Sequence, residues 1–203
     1  MTARRLGLFG GTFNPVHEGH LQIARDAKRA AELDEVMFIP CATPPHKAPT
    51  WLASGEDRLN MLTLALENEP AFTVNDLELD REGPSYSIDT VRAIRAQHPD
   101  DELTFIIGSD SLVELHLWKD IEELLSLATF LTIARPGQEA VNAAQIPLPA
   151  PWPETLSAAM ITGTLMDISS SDIRDRVAKN ASIVSLVPDP VRSYIDSHGL
   201  YHA

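Results

Sequence analysis

The sequence contains few cysteines, little basic charge and no long apolar run. Its one cysteine, Cys41, excludes an intramolecular disulfide and is typical of proteins in a reducing compartment. The formal net charge is −13, from 16 Lys and Arg against 29 Asp and Glu, which argues against nucleic-acid and anionic-membrane partners. An anionic substrate would therefore have to meet a few locally placed cations.

The apolar stretches are too short for two further kinds of segment. No run reaches the length of a membrane span, and the apolar residues near the N-terminus are too few for a secretory signal. We therefore expect a cytoplasmic protein with no membrane partner. Its 203 residues predict a single domain, 1–203, and leave open whether the chain forms a homo-oligomer.

The most informative segment is the run from Gly10 to His20, G-G-T-F-N-P-V-H-E-G-H, which directly follows a short apolar strand. Gly10 and Gly11 allow a tight turn and a close approach of the backbone to a ligand. An amphipathic helix begins near Gly19, so orphan backbone N–H groups and the helix dipole point towards the loop. His17 and His20 add two imidazoles. The pattern predicts a site for nucleotide phosphates.

Two other interpretations of this run stay open. Histidines three residues apart share one face of a helix, so His17 and His20 are a candidate metal pair, although no Cys or further His lies nearby in sequence to complete the site. The run is also compatible with a purely structural loop. Its spacing matches neither the G-x-G-x-x-G dinucleotide fingerprint nor the P-loop.

Strands and helices alternate along the chain, which predicts an α/β fold: a Rossmann-like, doubly wound, mainly parallel sheet with helices on both faces. The Gly10, Gly108 and Ser169 loops then fall at the carboxyl ends of strands, where such sheets bind ligands. Residues 138–159 are rich in proline and predict an irregular surface excursion, and 188–203 predict a C-terminal helix and tail. The predicted strands are 6–9, 35–39, 72–75, 77–79, 103–107, 129–134 and 160–168, and the predicted helices are 20–33, 55–68, 87–97, 121–127, 170–179 and 190–198.

A second informative segment is I-S-S-S-D-I-R at 168–174, which follows the last predicted strand. Its serines and Asp172 suit the cap of the helix that begins there. Arg174 lies in the first turn, where it adds a cation beside free backbone N–H groups, an arrangement suited to phosphate oxygens. Capping and phosphate binding are compatible in one segment.

Both segments resemble motifs of the nucleotidyltransferase superfamily, G-x-F-x-P-x-H-x-G-H and I-S-S-T-x-I-R. This superfamily transfers AMP or CMP from a nucleoside triphosphate, and the resemblance implies catalytic roles for His17, His20 and Arg174. Ser171 stands where threonine is usual in the second motif. The resemblance further implies an ATP and phosphate site formed by Gly10, Gly11, Thr12, Phe13, Lys47, Gly108, Asp110, Ser169, Ser170 and Ser171.

Five further segments resemble the bacterial nicotinate mononucleotide adenylyltransferases, and with them the resemblance covers nearly the whole chain. In that family a tyrosine segment and a tryptophan enclose the nicotinate ring. The resemblance therefore implies that Tyr86, Ser87 and Trp118 bind nicotinate mononucleotide, and that Asp110 contacts a ribose. The segments are P-S-Y-S-I-D-T at 84–90, I-G-S-D-S-L at 107–112 with Trp118, P-P-H-K at 44–47, R-P-G at 135–137 and the terminal 191–201.

These residues also have plainer interpretations. Ser87 and Asp110 are candidate helix caps, Trp118 is a candidate packing residue, and Lys47 is compatible with a solvated loop charge. The chain departs from the family pattern at Asn14, where many relatives carry Asp, and at Ser87, where threonine is frequent. The first change removes a charge but keeps a hydrogen-bonding amide.

The implied reaction is transfer of AMP from ATP to nicotinate mononucleotide, with Mg²⁺ carried by ATP and no metal site of the protein's own. Other acceptors, nicotinamide mononucleotide or phosphopantetheine, stay open as alternatives. A catalytically silent nucleotide-binding protein is the alternative from another class. A fragment of a class I aminoacyl-tRNA synthetase carries a similar histidine motif, but the acidic charge makes tRNA a poor partner.

Overall fold

The computed structural model describes residues 3–42, 51–134, 141–164 and 166–202. Helices and strands alternate in these segments, as the sequence predicts. The strands are β1 (Arg5–Gly11), β2 (Glu35–Pro40), β3 (Phe72–Val74), β4 (Glu102–Gly108), β5 (Thr129–Ala134) and β6 (Met160–Thr162). The α-helices are α1 (Glu18–Ala30), α2 (Gly55–Leu66), α3 (Ser87–Gln97), α4 (Ser109–Leu112), α5 (Ile121–Leu127), α6 (Trp152–Ala158), α7 (Ser170–Ala178) and α8 (Asp189–His198), with short 3₁₀ turns at Leu115–Leu117 and Ala143–Gln145.

The strands form one sheet in the order β3-β2-β1-β4-β5-β6. β1 pairs with β4, β4 with β5 and β5 with β6, all in parallel. Successive strands run outwards in both directions from the β1–β4 pair. Because crossovers between parallel strands are almost always right-handed, this order puts helices on both faces of the sheet. The predicted α/β, Rossmann-like, doubly wound fold is confirmed. None of the helices in the described ranges is both long enough and apolar enough to cross a membrane.

The chain's internal contacts divide it into two compact units, each assembled from separate stretches of sequence. Unit 1 contains the described residues of Met1–Gly10, Ile23–Met37 and Tyr86–Leu165. Unit 2 contains those of Gly11–Gln22, Phe38–Ser85 and Met166–Ala203. The single domain expected from chain length stays a prediction.

In unit 1 the buried carboxylate of Asp26 ties α1 to the segment that follows β6. Asp26 is 3% exposed, and its oxygens accept hydrogen bonds from the backbone N–H of Thr164 at 2.6 Å and from its hydroxyl at 3.1 Å. Arg29 also reaches Asp26 at 2.7 Å, but its side chain is 75% exposed, so water screens this ion pair. The two bonds to Thr164 are therefore the stronger link.

We expect Asp26→Ala to lower the free energy of unfolding by about 2–3 kcal/mol, because it removes a buried carboxylate that accepts two hydrogen bonds from Thr164. Urea unfolding at neutral pH measures the loss. Asp196→Ala, at an exposed position on α8, is the matched control and should change stability by less than about 0.5 kcal/mol. Equal effects in the two variants would contradict the role of the Thr164 bonds.

In unit 2 helices α2 and α8 pack together, and α2 begins and α8 ends with the residues that the sequence predicts. Ser54 caps α2 by accepting a hydrogen bond from Asp57 N at 3.0 Å. Gly199 terminates α8 with a φ of +62°, which glycine adopts without strain. Leu200 N then donates to Ile195 O at 3.0 Å, so the chain turns back onto the helix.

Three local predictions differ from the structure. The strand predicted at 77–79 is a turn, because Asn75 Oδ1 accepts from Leu77 N and closes the backbone locally. The strand predicted at 160–168 ends at Thr162, and Gly163 and Thr164 then leave the sheet. The irregular excursion predicted at 138–159 contains α6, whose Leu156 is buried.

Candidate active site

The carboxyl ends of β1 and β4 lie side by side at one edge of the sheet in unit 1. The register pairs Leu8 with Phe105, and Gly10 and Gly108 stand at the ends of these strands. A Cβ built on Gly10 would lie 3.9 Å from the Phe105 ring, an ordinary contact, so the protein itself leaves room there. Doubly wound sheets bind ligands at this switch point of strand order. Packing within the described residues therefore does not by itself require glycine at position 10.

The loop after β1 opens unit 2 and is held rigidly. Phe13 is 2% exposed and has a φ of +48°, a left-handed conformation that non-glycine residues rarely adopt. Its ring lies against Gly11, where a Cβ would come within 3.0 Å of it. Gly11 O accepts from Cys41 N at 2.9 Å, which joins the loop to the end of β2. The buried ring of Phe13 therefore packs inside the protein, and any contact of Phe13 with a ligand would be through its backbone.

His17 and His20 stand in van der Waals contact at the start of α1. Their rings are stacked, with centroids 3.7 Å apart and planes inclined by 25°. The backbone N–H of His17 donates to His20 Nδ1 at 3.3 Å, so the neutral ring of His20 carries its proton on Nε2. A Cβ on Gly19 would come within 3.0 Å of His17 Nδ1, and glycine at this position leaves the ring its place.

The N-terminus of α1 offers fewer free donors than the sequence analysis expects. Glu18 N donates to Leu186 O at 3.0 Å, and His20 N donates to His17 O at 2.9 Å. These bonds use two of the orphan N–H groups of the first turn. The helix terminus therefore presents fewer unused backbone donors than an isolated helix would.

The serines of the second motif each have a partner. Ser169 Oγ caps α7 by accepting from Asp172 N at 3.1 Å, and Ser170 Oγ donates to Pro15 O at 2.9 Å. Ser171 Oγ accepts from the guanidinium of Arg174 at 3.3 Å. The capping interpretation of Ser169 is confirmed. Ser169 and Ser171 use their oxygens as acceptors, so each O–H is still able to donate to a phosphate.

Arg174 joins this motif to the first one. Its Nη1 donates to Asn14 O at 2.7 Å and its Nη2 to Ser171 Oγ at 3.3 Å. Arginine has five N–H donors, so three are without a partner among the residues the structure describes and are available to phosphate oxygens. The guanidinium is thus oriented by the loop that also carries the two histidines.

Asn14 is the centre of a buried hydrogen-bond network that sequence analysis did not identify. It is 2% exposed; its Nδ2 donates to Trp51 O at 3.0 Å, while its Oδ1 accepts from Ala53 N at 3.1 Å and from the phenol of Tyr201 at 2.7 Å. An aspartate would keep both acceptor contacts but would have no donor for Trp51 O. The amide at position 14 therefore matches its surroundings better than the carboxylate of many relatives.

Arg58 is a second residue near this loop that the sequence analysis does not identify. Its side chain is 1% exposed and donates to Ala53 O at 3.2 Å, Thr12 O at 2.9 Å and Cys41 O at 2.7 Å. No carboxylate of the described segments forms an ion pair with it, and burial lowers its pKa from the usual value. Position 58 lies on the same helix face as the buried Met61 and Ala65. An arginine on an otherwise apolar helix face is the feature of the sequence that could have indicated a buried guanidinium.

Cys41 lies in the same network. Its thiol is partly buried and donates weakly to Thr12 Oγ1 at 3.6 Å. Burial raises the pKa of the Cys41 thiol, an effect larger than the opposing contributions of Thr12 and Arg58. The thiol is therefore protonated at neutral pH and contributes packing rather than nucleophilic chemistry.

In unit 1 the predicted pyridine residues lie around the start of α3 and the segment before α5. Tyr86 is the N-cap residue of α3, and Ser87 is its first helical residue, so the interpretation of Ser87 as a cap is wrong. Trp118 is half-buried and meets the Phe105 ring edge-on at 6.0 Å. Lys119 connects the two segments: its Nζ lies 4.7 Å above the centre of the Tyr86 ring and 3.1 Å from Asp89.

Asp110 lies in the first turn of α4, whose N-cap residue is Gly108. Asp110 is therefore not the N-cap residue of α4, and the interpretation of it as the cap is wrong in position. The carboxylate of Asp110 instead approaches Gly108 so closely that a Cβ there would collide with it. The carboxylate thus covers the end of β4, at the edge where a ligand is expected.

The structure therefore gathers the predicted residues into two groups. In unit 2, Ser170 and Arg174 bond to the loop at 12–15, and His17, His20, Ser169 and Ser171 belong to the same unit. Gly10, Gly108, Asp110, Tyr86, Ser87 and Trp118 belong to unit 1. Lys47 and the segment 135–137 lie outside the described residues. Within the described ranges, no group of three or more His, Cys, Asp or Glu side chains is placed to hold a metal ion.

Comparison with known proteins identifies the family. The cytidylyltransferase-like family model matches residues 8–176. The probable nicotinate-nucleotide adenylyltransferase of Geobacter sp. strain M21 is 42% identical, over 97% of this chain and 98% of its own. That of Geobacillus thermodenitrificans is 44% identical, over 98% of this chain and 87% of its own.

A solved structure agrees in fold. Plasmodium falciparum nicotinic acid mononucleotide adenylyltransferase, complexed with NaAD, superposes with a TM-score of 0.78 and covers 98% of this chain and 97% of its own. Its sequence identity of 19% limits this likeness to the fold. The family model and the whole-length relatives carry the assignment: the chain belongs to the cytidylyltransferase-like family and, within it, to the nicotinate-nucleotide adenylyltransferases.

Proposed function

We propose that this protein transfers AMP from ATP to nicotinate mononucleotide, giving deamido-NAD and pyrophosphate. The observation that carries the proposal is that Arg174 bonds to Asn14 O and His20 bonds to the N–H of His17, so that all three side chains are held by one short stretch of chain, residues 14–17. The full-length relatives of this chain bear the activity in their names. The three side chains place donors where a triphosphate would lie after β1. The reaction would supply deamido-NAD for NAD biosynthesis, and the single cysteine favours the cytoplasm as its location.

The chemistry we propose is a direct in-line displacement. The 5′-phosphate of nicotinate mononucleotide attacks the α-phosphorus of ATP, the bond from that phosphorus to the bridging oxygen breaks, and pyrophosphate leaves. A phosphate monoester has its second pKa at about 6, so the nucleophile is mostly dianionic at neutral pH. No general base is needed, and positioning and charge neutralisation supply the catalysis.

The phosphate residues would divide this work. His20 donates through Nε2–H to the α- and β-phosphate oxygens, where charge develops as the bond breaks, and His17 supports it from the stacked position. Arg174 and the hydroxyls of Ser169 and Ser171 hold the leaving pyrophosphate, and Ser170 supports them through its bond to Pro15 O. The backbone of residues 10–13 lies along the triphosphate, and Lys47 adds a cation. Mg²⁺ enters with ATP, since it binds phosphates and water more readily than an all-protein cage.

The acceptor residues would define the second substrate. Tyr86 and Trp118 offer aromatic faces to the electron-poor pyridine ring, and the hydroxyl of Ser87, which makes no hydrogen bond within the described segments, is able to donate to the nicotinate carboxylate. Asp110 accepts hydrogen bonds from ribose hydroxyls at the end of β4. The pocket therefore favours the carboxylate of nicotinate over the amide of nicotinamide.

We expect Trp118→Ala to raise the KM for nicotinate mononucleotide by roughly ten-fold or more, because an aromatic stacking contact is worth about 1–3 kcal/mol. The KM for ATP should change by less than about two-fold. Steady-state kinetics with each substrate varied in turn separates the two. Trp152→Ala, on α6 in the same unit, is the control and should leave both KM values unchanged; a rise in the KM for ATP alone would refute the pyridine assignment.

Pyrophosphate release from MgATP, with nicotinate mononucleotide and nicotinamide mononucleotide offered separately, tests the whole proposal. Fast release with the nicotinate substrate and slow release with the amide is the expected result. Faster release with nicotinamide mononucleotide would keep the chemistry but overturn the pocket assignment. Release with neither leaves phosphopantetheine to be tested as acceptor, and no turnover with any acceptor would identify a silent nucleotide-binding protein.

A further inference from the structure

Tyr201 lies beyond the last helix yet reaches the loop that follows the first strand. Its side chain is 6% exposed, and its phenol donates to Asn14 Oδ1 at 2.7 Å, across 187 residues of sequence. The backbone of Tyr201 has a φ of +65°, a left-handed conformation that a bulky residue holds only where its surroundings fix it. The chain thus accepts local strain to direct this phenol inwards.

Asn14 transmits the contact to Arg174. The same residue that receives the phenol through its side chain presents its backbone oxygen to Arg174 Nη1 at 2.7 Å. Because Asn14 is 2% exposed and its amide is bonded on both sides, the side chain and the peptide group move together. Loss of the phenol therefore loosens the acceptor that orients the guanidinium.

We infer that Tyr201 is a positioning residue for the adenylyl transfer: its O–H fixes Asn14, and Asn14 fixes the direction in which Arg174 meets the phosphates. This inference rests on the function proposed above, in which Arg174 holds the leaving pyrophosphate. Tyr201 does not touch substrate in this arrangement. It acts through two hydrogen bonds in series.

Tyr194 offers a matched control on α8. Its phenol donates to Asp57 Oδ1 at 3.0 Å and accepts from Asn60 Nδ2 at 3.1 Å, which ties α8 to α2 without contacting the loop at 12–15. Tyr194→Phe and Tyr201→Phe each delete one oxygen from a terminal tyrosine of unit 2. In Tyr201→Phe, Asn14 Oδ1 keeps its bond from Ala53 N, so the variant leaves no orphaned acceptor and should fold.

The experiment compares kcat, KM for ATP and the melting temperature of both variants with those of the unaltered protein. We expect Tyr201→Phe to lower kcat roughly ten-fold, since displacement of a charged group by a fraction of an ångström is costly to positioning. Tyr194→Phe should keep kcat within about two-fold, with a melting temperature lowered by a similar few degrees. Equal losses of kcat in the two variants would reduce Tyr201 to a stabilising residue and overturn the inference.

A double-mutant cycle with Arg174→Lys adds a test that a merely structural role would not pass. The lysine cannot make both bonds of the guanidinium, so the path from Tyr201 to the phosphates is already broken. Tyr201→Phe should then cost less than about two-fold in that background. Additive losses would contradict the proposed path.

Binding of MgATP separates failure of this inference from failure of the proposed function. If the unaltered protein turns over neither pyridine mononucleotide, the proposed function is wrong. Calorimetry with MgATP alone then decides the role of Tyr201. A Kd at least about five-fold weaker in Tyr201→Phe, with Tyr194→Phe unchanged, supports it, and equal Kd values overturn it.

Discussion

Replacing His20 with alanine should lower kcat by about 10²-fold or more while changing the KM for ATP only a few-fold. In the mechanism we propose, the Nε2–H of His20 donates to charge that develops in the transition state, and removal of one such donor typically costs about 10²–10³ in rate. The backbone contact from His17 N fixes this tautomer in advance, so the donor needs no rearrangement during the reaction. Steady-state kinetics of pyrophosphate release measures both constants.

His116→Ala is the control for this variant, because His116 is exposed and its Nδ1 contacts only the local Val113 O among the described residues. It should match the unaltered protein in both constants. A kcat for His20→Ala within about three-fold of the unaltered protein would remove His20 from the catalytic group. A rise in KM with kcat unchanged would assign the residue to ground-state binding instead.

Replacing Arg58 with methionine should lower the free energy of unfolding by about 4–5 kcal/mol, taking roughly 1.5 kcal/mol for each of three hydrogen bonds from a charged donor. Methionine is an unbranched side chain of similar length, so it fills much of the space of the arginine. The loss of stability therefore comes from the carbonyls of Thr12, Cys41 and Ala53, which lose their hydrogen-bond donor inside the protein. Urea unfolding of the folded variant gives the value.

Arg176→Met is the matched control, since Arg176 is about half exposed and pairs with Asp172 at 2.8 Å on the surface of α7. Its cost should be less than about 1 kcal/mol. The loss of stability in Arg58→Lys should lie between those of Arg176→Met and Arg58→Met, because a single ammonium group cannot donate to carbonyls in three directions. If Arg58→Met is no less stable than Arg176→Met, the three bonds do not hold the loops.

Features encoded within a few residues were predictable. The helix at Ile121–Leu127 and the strand at Thr129–Ala134 were predicted at their observed bounds, and the caps at Ser54 and Ser169 form the expected bonds. These signals are local, because they consist of the spacing of apolar residues within an element and of the cap residues at its ends. The alternation of elements was likewise enough to predict the doubly wound fold.

Contacts between distant segments were not predictable from one sequence. Asn14 gave no sign that Trp51, Ala53 and Tyr201 would share its amide, because nothing in their spacing links them. Ser87 failed for another reason: serine favours an N-cap, but the helix begins at Ser87 itself and Tyr86 takes the cap position. Residue type predicted the kind of contact in each case, while tertiary packing decided its partner.

The hydrogen bond between Tyr201 and Asn14 also has a consequence for folding during synthesis, because its two residues lie far apart in the sequence. The loop that carries the histidines is synthesised before position 201, which supplies the phenol that bonds to Asn14. A nascent chain that has not yet extended to position 201 therefore lacks this bond. If Tyr201 positions Arg174 as we infer, this guanidinium is fully oriented only after α8 has folded and the chain has turned back, and we expect incomplete chains to bind ATP poorly.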